Sequence, residues 1–107
     1  MAFDISAVLQ SMEGAVQSTV ATAWPQAQAI WLTFEQTNKN ILADMAMATI
    51  SGGMTTDQLK SYLDDMKTTL QAQLLATEVM ALAVAQAAAN AALDIFWTAV
   101  NAALTII

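Results

Sequence analysis

The groups that could carry out chemistry in this sequence are its carboxylates. The chain of 107 residues has nine Asp and Glu residues and three Lys residues, but no Arg, His or Cys. It therefore lacks the commonest general base and the thiolate that serves as nucleophile or metal ligand. Glu78 and Asp94 lie too far apart along one predicted helix to share a site, and no Glu-x-x-His pair of a di-iron bundle occurs. We expect no enzymatic activity, no catalytic residue, no cofactor and no metal site.

Asp94 belongs to a row of polar residues in the otherwise apolar C-terminal segment. The spacing of four residues places Gln86, Asn90 and Asp94 on one face of a helix, with Asn101 close in angle. We call these four residues the polar ribbon. A buried, unpaired carboxylate is costly, so Asp94 should be paired, hydrated or protonated. The ribbon therefore either faces solvent, or lines a pore or specifies an interface.

Apolar residues recur at helical spacing from the N-terminus onward, which predicts an all-α fold. The first stripe begins after Asp4, a suitable N-cap. It continues in phase beyond Pro25, a residue that kinks a continuing helix. We therefore predict a single first arm over residues 4–51, bent at Pro25.

Gly52 and Gly53 are strong helix terminators and predict a turn over residues 52–55. Thr55 and Gln58 then have the spacing of a capping box at the start of the next helix. Since no Gly or Pro follows Gly53, the second arm is predicted to run over 56–105. Two arms of matched length predict one domain over 1–107, a long antiparallel α-helical hairpin that assembles into a larger helical oligomer.

The composition indicates that something outside the chain covers part of its apolar surface. About 57% of the residues are hydrophobic and 11% are charged, against about 25% charged residues in ordinary soluble domains. A small monomer leaves much of its surface in water, and so few charges would hardly cover that surface. We expect other copies of the chain to do so, with lipid as the alternative partner. The predicted oligomer interface comprises Trp31, Phe34, Ile95, Phe96, Trp97, Val100, Leu104 and Ile107.

The charges are few and unevenly distributed. The formal net charge is −6 and there is no basic patch, so direct nucleic-acid binding is not expected. Eight of the charged residues lie between Glu35 and Lys67. In a hairpin, the end near the turn would thus be charged and the end near the termini apolar.

In length and in its midpoint turn, the sequence resembles the secreted helical hairpins of type VII systems, and type III needle subunits are similar exported hairpins. The turn "SGGMTT" lacks the Trp-x-Gly motif of the first family, and the apolar C-terminal segment departs from the pattern of the second. The resemblance covers architecture alone, and no residue role follows from it.

Three functions fit these features. The first is a structural subunit that packs its apolar helix faces into a filament, tube, ring or virion component. The alternative is a membrane-inserted or pore-forming helical oligomer whose interior the polar ribbon lines, because residues 79–107 are long enough to cross a hydrocarbon core of about 30 Å. A small adaptor that binds one other helix is a third possibility. For the location, we expect an extracellular or virion assembly first and a membrane second. The start "MAFDISAVLQ" lacks the basic region with which a signal peptide begins, so no cleaved signal peptide is expected.

Overall fold

The structure, a computed structural model, describes residues 3–106 and is built from α-helices joined by short connections. The predicted all-α class is confirmed. The four helices of the described chain are α1 (Ile5–Val20), α2 (Trp24–Ile50), α3 (Thr56–Leu75) and α4 (Leu82–Ile106), and a 3₁₀ turn over Ala21–Ala23 joins α1 to α2.

Side-chain and backbone caps mark the helix ends. The Asp4 carboxylate accepts a hydrogen bond from the backbone N–H of Ala7 (3.2 Å) and caps α1. The capping box of α3 is formed in both directions: the Gln58 N–H donates to the Thr55 hydroxyl (3.1 Å), and the Thr55 N–H donates to the Gln58 amide oxygen (2.9 Å). After α2 the chain turns at Gly52 and Gly53. Gly52 has a φ of +88°, a conformation that glycine adopts without strain.

The first predicted arm is in fact two helices, and the prediction of one bent helix is wrong. Ala21 has a φ of +51° and a ψ of −113°, which ends α1 because this backbone conformation cannot continue a right-handed helix. Pro25 lies in the first turn of α2. A proline fits there because the first N–H groups of a helix have no intrahelical acceptor. Pro25 therefore starts a new helix.

The second predicted arm is also broken, since α3 ends at Leu75 and α4 begins at Leu82. No glycine is needed for this break. Glu78 takes a left-handed φ of +61°, and the Thr77 hydroxyl donates to the carbonyl of Leu74 (2.6 Å). The Leu74 carbonyl also accepts from the backbone N–H of Thr77 (3.2 Å), so backbone and side-chain donors together close the last turn of α3.

The four helices form an up-and-down bundle in which each helix packs against the helix before and after it in the chain. Their short connections require consecutive helices to be antiparallel. Helix α4 returns to pack most extensively on α1 and then on α3, and α1 and α3 lie diagonally opposite. The molecule measures 42 × 23 × 20 Å, whereas an unbroken first arm alone would be about 70 Å long. The chain therefore folds back twice more than the predicted hairpin would.

The two ends of the bundle differ in charge. One end, which we call the connection end, contains Ala21–Ala23 and the connection over 76–81. The other contains the Gly52–Gly53 turn, the start of α1 and the end of α4. Between Glu13 and Glu35, and between Lys67 and Asp94, the only charged residue is Glu78. Those stretches flank the connection end, which is therefore nearly uncharged.

The core is continuous along the bundle and includes residues from all four helices. Phe96 of α4 meets the ring of Phe3 edge to face, with ring centroids 5.9 Å apart. The solvent-accessible surface is 5858 Å², close to the ~5,800 Å² expected for a compact monomer of this mass. Alanine and uncharged polar residues make up much of the outer surface. The chain therefore hides most of its large apolar side chains without many charges and without a partner.

The folded-back arrangement of α1 and α2 can be measured with spin labels at Ser6 and Asn40, both of which are exposed. We expect a label distance below about 25 Å, because adjacent helix axes lie about 10 Å apart. In a single straight arm the same two positions would be about 50 Å apart. A distance near that larger value in double electron–electron resonance would restore the long arm and remove the bundle.

Candidate functional site

Half of the residues predicted to form an oligomer interface are buried by their own chain. Trp31, Phe34, Phe96 and Val100 are no more than 1% exposed. The rings of Trp31 and Phe34 stack with centroids 5.5 Å apart. An apolar stripe has the same sequence pattern whether its own chain or a partner covers it. These four residues therefore have no surface to offer a second chain, contrary to the prediction.

The other predicted interface residues contribute little surface. Ile95 and Trp97 are half-buried and pack against the core, and Leu104 is also half-buried. Ile107 lies outside the described residues. Helix α4 thus has no broad apolar face left uncovered along residues 82–105.

The polar ribbon lies on the outer face of α4. Gln86, Asn90 and Asp94 are exposed to solvent. Asn101 is half-buried, and its side-chain amide donates to the carbonyl of Trp97 (2.8 Å). The ribbon therefore faces away from the core, and the remaining faces of α4 are free to be covered by α1 and α3. In the single chain the ribbon is thus open to solvent.

Asp94 forms the one ion pair between helices in the described part of the chain. The Lys67 ammonium of α3 donates to the Asp94 carboxylate at 2.9 Å and lies 3.9 Å from Asp64. The Lys67 side chain is 24% exposed and that of Asp94 is 62% exposed. A pair this open to water contributes at most about 1 kcal/mol to stability. The pair shows which flank of α3 faces α4, while the buried leucines of α3 set the orientation of that helix.

A shallow, open groove of about 340 Å³ runs beside this ion pair and is lined by Asp94, Ile95, Thr98 and Ala99. Its polar groups are one hydroxyl and one carboxylate that Lys67 already holds. Within residues 3–106, no three carboxylates form a group that could hold a metal ion. The groove offers apolar contact and a hydrogen-bond acceptor, but no nucleophile and base placed together.

The surface that the sequence reasoning missed lies at the connection end. Leu75, Val79 and Leu82 are 37%, 44% and 54% exposed. Trp24 and Met80 at the same end are half-buried and pack against the core. We call this set the apolar tip: Trp24, Leu75, Val79, Met80 and Leu82. The sequence carries one signal for this surface, because Glu78 is the only charged residue between Lys67 and Asp94. Only the reversal of the chain at Ala21–Ala23, however, shows that this stretch lies at an end of the bundle.

Comparison of the chain with protein-family models, with curated proteins and with solved structures finds no match.

The burial of Phe96 within its own chain predicts a large loss of monomer stability on truncation. Phe96→Ala should lower the free energy of unfolding by about 3–5 kcal/mol, because it leaves a cavity in the core. The control is Met47→Ala, since Met47 is 58% exposed and should change stability by no more than about 0.5 kcal/mol. Urea denaturation at several protein concentrations measures both. If a second chain covered Phe96, the loss of stability in Phe96→Ala would depend on protein concentration. The dilute variant would then be as stable as the dilute wild-type monomer.

Proposed function

We propose that this chain is a non-enzymatic structural subunit that assembles with copies of itself, and that the apolar tip is a contact between two copies. The observation that carries the proposal is the gathering of exposed Leu75, Val79 and Leu82 at one end of the bundle. The same end carries a single charge, that of Glu78. Contiguous apolar patches on otherwise polar monomers mark interaction sites.

Burial of the tip is energetically favourable because little opposes it. Full burial of a Leu or Val side chain from water contributes roughly 1.5–3 kcal/mol. The three exposed tip side chains are already partly covered, at 37%, 44% and 54% exposed, so each adds about half of that. No lysine lies near the tip, and the one carboxylate is at the exposed Glu78. A second copy brings the same uncharged surface, so two tips can meet without the desolvation of many ions.

The surroundings of the tip favour a second protein chain over lipid. Gln26, Gln28 and Gln86 are exposed on the uncharged part of the bundle. Their amides would be costly in hydrocarbon but can form hydrogen bonds in a protein interface. No basic residue near the tip would attract an anionic headgroup. A tip-to-tip contact also keeps the acidic halves of the two copies at opposite ends, which limits their repulsion.

The size of the end face sets the strength of the contact. The bundle is 23 by 20 Å across at its Cα positions, so with side chains the end covers roughly 600 Å² per copy. A standard interface buries about 800 Å² per partner. We therefore expect association that depends on concentration. Since two identical tips form a closed, two-fold contact, growth into a filament, tube, ring or virion component requires a second contact elsewhere on the bundle.

A membrane-inserted or pore-forming oligomer is the second candidate, and one observation favours it. Among the described residues, Leu82–Thr105 is the one helical stretch long and apolar enough to cross a membrane. To do so, α4 would have to leave the bundle and transfer Leu93, Phe96 and Val100 from the protein core to lipid. The polar ribbon would then have to turn inward and line a pore.

Charge substitution at the tip tests the self-assembly proposal. We expect the wild-type chain to exceed its monomer mass of 11.4 kDa as concentration rises, and Leu82→Glu to return it to the monomer. The matched control is Met47→Glu: Met47 is 58% exposed and lies near the opposite end of the bundle, so assembly should be unchanged. Sedimentation velocity across a concentration series measures the masses.

Two results would count against this proposal. A wild-type chain that stays at monomer mass at millimolar concentration would remove self-assembly. Leakage of dye from vesicles of neutral lipid, abolished by Leu82→Glu and retained by Met47→Glu, would instead favour the membrane candidate.

A further inference from the structure

The connection between α1 and α2 is only three residues long and contains a strained backbone. Ala21 has a φ of +51° and a ψ of −113°, the angles of a turn position that glycine normally occupies because a Cβ atom is crowded there. Val20 before it and Trp24 after it already have right-handed helical angles, with φ −82°, ψ −18° and φ −54°, ψ −42°. Rotation of the backbone chiefly at Ala21 would therefore bring α1 into line with α2.

The apolar faces of α1 and α2 are in phase for such an alignment. Two helices that fold back on each other need no common phase, because the connection between them can rotate one helix relative to the other. Here, nevertheless, buried residues keep the three- and four-residue spacing of a single helix across the connection: Val16, Val20, Ala23, Ala27 and Trp31. In an aligned helix, the core-facing side of α1 would point the same way as that of α2.

Pro25 bends such a helix but does not prevent it. Proline has no N–H with which to donate to the carbonyl four residues earlier, which is that of Ala21. That carbonyl already accepts from the backbone N–H of Trp24, so it has a partner without Pro25. The proline ring and the Ala21 carbonyl would still crowd each other, which gives the aligned helix a kink.

We propose that two copies of the chain exchange their α1 helices across the apolar tip. In each copy, α1 leaves its own bundle, continues the line of α2 beyond the connection end, and fills the α1 position in the bundle of the other copy. There it makes the contacts that it makes in the monomer, in which α1 packs more extensively on α4 than on α2. Exchange of an identical element is a low-cost route to a dimer. The proposal rests on the self-assembly proposed above and states how the two tips are held together.

The direction of the helices permits this exchange at the connection end. Helix α1 runs toward that end and α2 runs away from it. A two-fold axis across the end, midway between α1 and α2, places the α1 position of one copy in line with α2 of the other, with both cores on the same side. That is the orientation for which the common phase of the two apolar faces is suited. The exchange relieves the strain at Ala21 and brings the two apolar tips together.

Double electron–electron resonance on the full chain tests the exchange. The chain has no cysteine, so spin labels attach only at cysteines introduced at Ser6 and Asn40. Labelled chains are mixed in urea with an excess of unlabelled chain and refolded at high concentration, so that label pairs within one chain dominate. We expect a distance below about 25 Å in the separated monomer. In the separated dimer we expect about 50 Å, because α1 and α2 of each chain then form one long helix.

Two glycine variants test whether the strain at Ala21 favours the exchange. Ala21→Gly should weaken the dimer at least about tenfold, because glycine adopts the folded-back angles without strain. Thr22→Gly is the matched control. Thr22 is the exposed next residue of the connection and has no positive φ to relieve, so the dimer should weaken much less. Sedimentation velocity measures the dimer fraction in both variants.

The results separate the exchange from the tip contact on which it rests. A dimer whose label distance stays below about 25 Å would overturn the exchange and leave the tip contact standing, and equal weakening by the two glycine variants would count against the strained connection as its cause. A dimer with the distance near 50 Å that persists in Leu82→Glu would support the exchange and remove the tip contact. A chain that forms no dimer at millimolar concentration would overturn both.

Discussion

Helix α4 has to be covered on several sides, and the rest of the fold follows from that requirement. Its sequence is apolar around most of its circumference, apart from the polar ribbon. One neighbouring helix cannot cover so wide a surface. The chain therefore places α1 and α3 on either side of α4 and α2 diagonally across the core. The reversals at Ala21–Ala23 and at Glu78 are what bring α1 and α3 into reach within a bundle only 42 Å long.

Because the chain covers α4 with its own helices, few large apolar residues remain for the rest of the surface. The large aromatic residues that could have joined copies together, including Trp31 and Phe96, are used in the core. The charged residues lie mainly between Glu35 and Lys67, and the folded chain keeps them away from the connection end. The apolar tip is what remains uncovered where charge is scarce. The proposed assembly thus rests on a small end face and not on the long helix faces that the composition first indicated.

The sequence predicted the elements of this fold better than their arrangement. Helical spacing, the Asp4 cap and the capping box at Thr55 are local signals, and each acts where it was expected. The two extra reversals depend on positive φ angles at Ala21 and Glu78, residues that carry no preference for that conformation. Local propensity did not reveal them, because burial of α4 stabilises them from a distance.

The interface residues could not be predicted for a related reason. An apolar stripe such as that of Trp31 and Phe34 indicates only that another surface buries it. Which helix provides that surface depends on the topology, which the sequence pattern does not give. For the same reason, the direction in which the polar ribbon faces could not be predicted from the sequence. Once α1 and α3 occupy the flanks of α4, the ribbon can only face outward, and Asp94 meets Lys67 at the rim.

The central claim is that this chain is a short bundle that associates end to end, and small-angle X-ray scattering over a concentration series tests it most directly. At high dilution we expect a radius of gyration close to 13.7 Å and a particle about as long as the 42 Å bundle, allowing for side chains and hydration. As concentration rises, the length should roughly double while the cross-section stays constant, as a closed end-to-end dimer requires. A dilute particle about 70 Å long, the length of an unbroken arm, or growth in width at constant length, would contradict the account.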